Sequence, residues 1–178
     1  ALRLLDVDGG GEGLVEALTL KDEPECALRE GELLAPRLMK NAAPAPSDAP
    51  LVKGEGTVLI TGGLGALGQE VARYLVNEQG VKHLLLTSRR GMGAPGAEAL
   101  VQELRDAGAQ VAVAGCDVSE RASLDAALSS VEGEHPLCGV IHLAGLLEDG
   151  TLSELDSERL HRVLTPKVDG AWNLHQAT

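Results

Sequence analysis

Residues 57 to 76 read TVLITGGLGALGQEVARYLV, and the glycines in that stretch have the types and spacing needed to hold a dinucleotide pyrophosphate. Gly62 permits a tight turn, Gly65 lets the backbone approach a phosphate, and Gly68 lets a helix pack close to the preceding strand, leaving free N–H groups aimed at the anion. Further along, Ser88-Arg89-Arg90 supplies a hydroxyl and two cations where an NAD-preferring domain would place an acid for the ribose 2′-hydroxyl. Arg89, with Ser88 and Arg90, is instead suited to forked, charge-assisted bonds with a 2′-phosphate. Against this stands the plainer reading of two solvated arginines. Cys116-Asp117-Val118 offers a carboxylate for an adenine amino group and an apolar neighbour for the ring, while capping of the next helix would account equally well for Asp117 or Ser119.

The elements that must position these groups follow from periodicity. Val58, Leu59 and Ile60 form the aliphatic run of a strand covered on both faces, and Leu67, Val71, Tyr74 and Leu75 recur at helical spacing, so Tyr74 is expected on the packed face. Strands are expected at 57–61, 83–87, 111–114 and 139–143. Helices are expected at 66–78, 97–107 with Gly108 as the stop, and 120–131. Strict βα alternation gives a parallel, right-handed, doubly wound α/β sheet, with ligands beyond the carboxyl ends of the strands.

After the fourth strand, His142-Leu143-Ala144-Gly145 puts small residues where backbone must lie against the ribose and nicotinamide side of a cofactor. His142 itself reads as a packed strand histidine, since nothing pairs it with a nucleophile or ligand cluster. A last helix begins near Asp156, a plausible N-cap, with Leu160, Val163, Leu164, Val168, Ala171 and Leu174 on one side. Lys167 falls within that stripe. Its ammonium either snorkels to water or points into a polar, functional cleft.

Upstream, Leu2 to Val7 reads as a strand, Leu14 to Leu18 as a helical turn or two, and CALREGELLAPRL as a hairpin turning near Glu30-Gly31. The Ala- and Pro-rich segment NAAPAPSDAP reads as a linker, giving a division into 1–40, a linker at 41–53, and 54–178.

Composition narrows the function. Fifteen basic against 27 acidic residues give a net charge of −12, which disfavours nucleic acid, and no tract is apolar enough for a membrane span. Cys26, Cys116 and Cys138 are scattered without metal-ligand spacing, so they read as thiols of a reducing compartment, the cytoplasm. Phe is absent, and Tyr74 and Trp172 are the sole Tyr and Trp, so the core is Leu, Val and Ala.

TGGLGALG, LLLTSRRG, CDVSE, VIHLAG and PKVDGAWNLH occur together in an order that resembles the short-chain dehydrogenase/reductase superfamily, and more closely the ketoreductase domain of modular polyketide synthases. The resemblance covers nearly the whole chain. It implies NADPH held by Thr61, Gly62, Gly63, Leu64, Gly65, Leu67, Gly68, Ser88, Arg89, Arg90, Cys116, Asp117, Val118, Ala144, Gly145 and Lys167. It also implies reduction of a β-keto thioester carried by an acyl carrier protein, beside neighbouring synthase domains. Lys167 matches the family's catalytic lysine, which holds the nicotinamide ribose and lowers the pKa of a proton-donating tyrosine. Leu147-Glu148-Asp149 stands where one stereochemical class carries Leu-Asp-Asp, a lean towards a D-configured hydroxyl.

The family's serine and tyrosine lie downstream of the lysine helix. The chain is therefore expected to be an internal fragment, incomplete at both ends and inactive alone. Residues 1–40 resemble the end of the family's structural subdomain. The alternatives are a pseudo-ketoreductase that keeps the fold without the reaction and a nucleotide-sugar epimerase, against which SRRG and PKVDGAWNLH weigh.

Overall fold

The computed structural model describes residues 4–8, 12–20, 22–39, 52, 55–131 and 133–178. The chain divides into two compact units, Ala1–Ser47 and Asp48–Thr178. Except for Val52, the expected linker at 41–53 lies outside the described residues.

The first unit contains β1 (Leu4–Val7), α1 (Leu14–Thr19), β2 (Glu25–Arg29) and β3 (Glu32–Leu34). The hairpin turns where expected, with Glu30 at φ 50° and Gly31 at φ 82°, a left-handed pair that suits a two-residue connection. β1 pairs with β2 in parallel, joined by α1. Among its described residues, Ala17, Cys26 and Leu28 are the buried apolar ones.

The second unit runs β4 (Thr57–Thr61), α2 (Ala66–Asn77), β5 (His83–Ser88), α3 (Ala97–Asp106), β6 (Gln110–Gly115), α4 (Arg121–Leu128), β7 (Leu137–His142) and α5 (Ser157–Ala177). Its four strands are all parallel in the order β6-β5-β4-β7, the doubly wound topology expected from the βα alternation. The sheet order reverses between β4 and β7, which opens a crevice at their carboxyl ends. Alternation within the strands sorts the core into two layers. Val58, Ile60, Leu84 and Leu86 face Ala72, Leu75, Leu100 and Leu104 of α2 and α3. Leu59 and Leu85 face Leu124, Ala127 and Leu174 of α4 and α5.

Two helix faces differ from the sequence expectation. On α2 the buried residues are Gly68, Ala72, Leu75 and Val76, whereas Leu67 and Tyr74 are exposed. Tyr74 lies about 100° round the helix from Leu75, and the small residues face inward because α2 sits close to the sheet. The Tyr74 hydroxyl accepts a bond from Gln79 Nε2 at 3.0 Å. On α5 the buried positions are Gly170 and Leu174, with Val163, Pro166 and Asn173 half-buried, while Leu160, Leu164, Val168 and Lys167 are exposed. Of the expected stripe, Leu174 and in part Val163 meet the sheet, whereas Leu160, Leu164, Val168 and Ala171 are exposed, as is Lys167.

Candidate cofactor-binding site

The turn after β4 is shaped by close backbone approach. Gly62 has φ 66°, and a Cβ there would lie 2.8 Å from Leu143 O, so the turn presses against the segment leaving β7. A Cβ on Gly68 would lie 2.3 Å from Gly62 O and 2.6 Å from Gly63 Cα, which fixes the start of α2 on the turn. Gly65 is the exception. A Cβ there would meet a single atom within 4 Å, Gly62 O at 3.2 Å, so its outer side is open space.

The helix's hydrogen-bonding begins with Gln69 N donating to Gly65 O at 2.9 Å, which leaves the N–H groups of Ala66, Leu67 and Gly68 without a helical acceptor. Free N–H groups around an open glycine are the features an anion requires. The side chains divide accordingly. Leu64 is buried in the core and offers only its backbone, whereas Leu67 is exposed beside the opening.

At the end of β5 the buried Ser88 Oγ has no hydrogen-bond partner among the described residues. A buried hydroxyl left without a partner costs free energy unless a ligand or water satisfies it. Arg89 and Arg90 are exposed, and neither is among the ion pairs of the described residues. Gly91, at φ 48°, holds this turn against the end of β6, since a Cβ there would lie 3.0 Å from Gly115 N. A free hydroxyl and two free guanidiniums thus share one strand end, with no carboxylate in Thr87 to Gly91.

After β6, Cys116 is a core residue whose thiol is pushed up in pKa, mainly by burial. Asp117 does not cap α4. The N-cap position belongs to Glu120, which makes no side-chain cap bond. Asp117 Oδ1 instead accepts from Ser119 N at 3.0 Å and Ser119 Oγ at 2.6 Å, closing a tight local turn. Both bonds fall on Oδ1. Val118 is buried against α5, where a Cβ on Gly170 would lie 2.8 Å from Val118 Cγ1.

His142 is the packed strand histidine expected, with a specific structural task. Its Nε2 lies 3.0 Å from Pro166 O and its Nδ1 2.6 Å from Thr61 Oγ1. A carbonyl only accepts, so Nε2 donates to Pro166 O, and Nδ1 shares a hydrogen bond with the Thr61 hydroxyl. Thr61 Oγ1 then accepts from Leu143 N at 3.2 Å and Ala144 N at 3.3 Å. This chain of bonds ties β4, β7 and α5 together under the crevice. Composition and periodicity gave no sign of the linkage, because its partners are distant in sequence.

Lys167 follows Pro166 directly, and its Cε would lie 3.6 Å from a Cβ on Gly145. The lysine is exposed at the carboxyl end of β7, beside the small residues Ala144 and Gly145. Of the Leu147-Glu148-Asp149 segment, Leu147 and Asp149 are exposed. Glu148 is turned onto α5, where it takes a fork from Arg162 Nε at 2.8 Å and Nη2 at 2.7 Å, with Arg159 Nε at 3.6 Å. The Arg162 hydrogen bonds and charge, helped by Arg159, hold its carboxyl below the usual carboxylate range. Asp156 caps α5 as expected, accepting from Arg159 N at 2.8 Å.

Tyr74 stands in the last turn of α2, at the amino ends of the strands, whereas Lys167 stands at their carboxyl ends. A groove of about 410 Å³ at those amino ends, lined by His83, Arg105, Gln110 and His135 among others, is likewise remote from the glycine turn. Among the described residues no group of three or more His, Cys, Asp or Glu could hold a metal ion, and no helix is long and apolar enough to cross a membrane.

A parallel sheet whose switch point carries this glycine turn defines a Rossmann-like fold of the short-chain dehydrogenase/reductase kind. Known proteins agree. Residues 56–178 match the KR domain family. The chain is 47% identical over 173 residues to polyketide synthase GfsA of Streptomyces halstedii, an alignment covering 97% of this chain and 2% of that protein. It is 56% identical over 124 residues to the pikromycin polyketide synthase component PikAII of Streptomyces venezuelae, covering 70% of this chain and 3% of that one. Among solved structures, an A-type ketoreductase from a modular polyketide synthase superposes with a TM-score of 0.84 at 36% identity, covering 99% of this chain and 38% of its own. The chain belongs to the ketoreductase domain family of modular polyketide synthases. It spans a few hundredths of the synthases' length and well under half of the solved ketoreductase.

Proposed function

We propose that the chain is the cofactor-holding part of an NADPH-dependent reductase acting on a β-keto thioester carried by an acyl carrier protein. One observation carries the choice of cofactor: the orphaned Ser88 hydroxyl beside the unpaired Arg89 and Arg90 at the end of β5. These groups suit a 2′-phosphate. The open side of Gly65 and the free N–H groups of Ala66 to Gly68 suit a pyrophosphate, and the Asp117 carboxylate with Val118 suits adenine. Once bound, the nicotinamide would supply a hydride.

Lys167 is the residue that would hold the ribose hydroxyls next to the nicotinamide, supported by its place beside Gly145. The reading also needs a tyrosine as proton donor. Tyr74 is the sole tyrosine of residues 1–178 and stands at the wrong end of the sheet, so these residues by themselves bind cofactor without turnover. The segment Leu147 to Asp149, leaving β7 above the crevice, fits a role in the D-configured outcome. The multidomain relatives support neighbouring synthase domains as partners, and a cytoplasmic setting fits the free thiols.

The test is a binding titration of NADPH and NADH against the unmodified chain and Arg89→Ala. A charge-assisted bond contributes about 1.5–3 kcal/mol, so the substitution should weaken NADPH about 10- to 100-fold and NADH less than about twofold. Equal affinity of the unmodified chain for both cofactors would sink the assignment.

A further inference from the structure

We propose that Asn173 is a positioning residue for the adenine end of the cofactor site, acting from the same helix that carries Lys167. Asn173 Nδ2 donates to two consecutive carbonyls, Val118 O at 3.1 Å and Ser119 O at 2.8 Å. Both amide protons are thereby committed to one short backbone segment. Two peptide planes held by one rigid amide cannot rotate independently. The two planes flank Ser119, whose N–H and hydroxyl hold Asp117 Oδ1, and the first of them also joins Val118.

The segment is held from other directions as well. Asp117 N donates to Ser123 Oγ at 3.1 Å on α4, and Asp117 Oδ1 closes the turn on Ser119. Gly170, one turn before Asn173, brings the α5 backbone against Val118, with room for no Cβ. The Pro166 carbonyl, a further turn back, is anchored on His142. Lys167, Gly170 and Asn173 are three residues apart in succession, so one stretch of α5 reaches from the end of β7 to the segment after β6. The turn made by Asp117 and Ser119 fixes only its own shape; Asn173 on α5, with Ser123 on α4, supplies its register relative to the rest of the site.

The inference rests on the proposed reading of Asp117 and Val118 as the adenine seat. It is tested by comparing NADPH with its hypoxanthine analogue, which replaces the 6-amino group by a carbonyl. Dissociation constants for both are measured on the full chain, with folding checked by circular dichroism. The unmodified chain should favour the adenine cofactor about tenfold.

Asn173→Asp keeps the shape but removes both donors, and should reduce the ratio to below about twofold. Gly170→Ala, which pushes Val118 away from α5, should reduce it in the same way by an independent route. A merely structural asparagine would lower the melting temperature and weaken both cofactors equally; a ratio preserved in folded Asn173→Asp or Gly170→Ala overturns the inference. Absence of any preference in the unmodified chain overturns the adenine seat itself and the inference with it.

Discussion

Replacing Gly68 by Ala sets two opposed effects against each other in one methyl group. Gly68 lies in the first turn of α2 with ordinary helical backbone, so propensity alone favours Ala by about 1 kcal/mol. Against that, the new Cβ would stand 2.3 Å from Gly62 O, 2.6 Å from Gly63 Cα and 2.7 Å from Gly63 C. All three are backbone atoms, and that backbone is itself fixed, since Gly63 N donates to Thr87 O at 3.0 Å and Gly62 is pressed on Leu143. No side chain can rotate aside, so the overpacking falls at the upper end of the usual range of about 1–3 kcal/mol.

Sterics therefore win by about 1–2 kcal/mol, which for a chain of this size lowers the melting temperature by about 2–8 °C. The helix start must also tilt away from the turn, so NADPH binding should weaken about tenfold or more in a calorimetric titration. Gly93→Ala is the matched control. A Cβ there meets nothing within 4 Å and its φ is not positive, so stability should stay level or rise by about 0.4–1 kcal/mol. A Gly68→Ala chain that melts at or above the unmodified one would refute the claim that close packing, rather than flexibility, is why a glycine stands there.

Thr61→Val removes the hydroxyl on which His142 Nδ1 and two backbone N–H groups converge, and should cost about 1–3 kcal/mol by chemical denaturation; Thr61→Ser should restore most of that. Glu148, whose carboxyl is held low by the Arg162 fork, contributes stability that is complete above the ordinary glutamate pKa and is lost as pH falls through its lower folded value. Hydrogen exchange at residues 146–151 should therefore quicken, relative to the intrinsic rate, below about pH 4.3, and Glu148→Ala should abolish that pH dependence. In a reductase carrying these residues, Lys167→Met should reduce turnover by at least about 100-fold while leaving the melting temperature within about 1 °C, because the lysine is exposed.

The parts of this fold that local chemistry determines were legible in the sequence. Val58 to Ile60, the glycines after them and the apolar period beyond define β4, its turn and α2 because each glycine has a local reason. The βα alternation likewise fixes a parallel sheet, since short loops between strands and helices leave few other windings. What local pattern cannot resolve is which of two apolar faces meets the sheet. On α5 the leucines at 160 and 164 and Val168 form the more hydrophobic stripe, yet Gly170, Asn173 and Leu174 lie inward. Close helix approach rewards small residues there, and that is a property of the partner surface.

Long-range polar links were equally hidden. The Thr61–His142–Pro166 chain joins residues far apart in sequence, and Asn173 looks like any helical asparagine until Val118 and Ser119 are beneath it. Asp117 shows the converse. Its sequence allowed an adenine contact and a helix cap equally; the helix starts one turn later, and the carboxylate closes its own turn instead of capping.

The scarcity of aromatic residues also has a practical side. Trp172 is the single tryptophan of the chain and is half-exposed on α5, its ring 5.4 Å from that of His175. Excitation at the red edge of the absorption band, where Tyr74 contributes nothing, therefore reports on one helix alone. That helix also carries Lys167 and Asn173, so the chain holds its own label for the element that spans the two ends of the crevice. Emission during a cofactor titration, corrected for the cofactor's own absorption of tryptophan light, would read the setting of α5 without a dye.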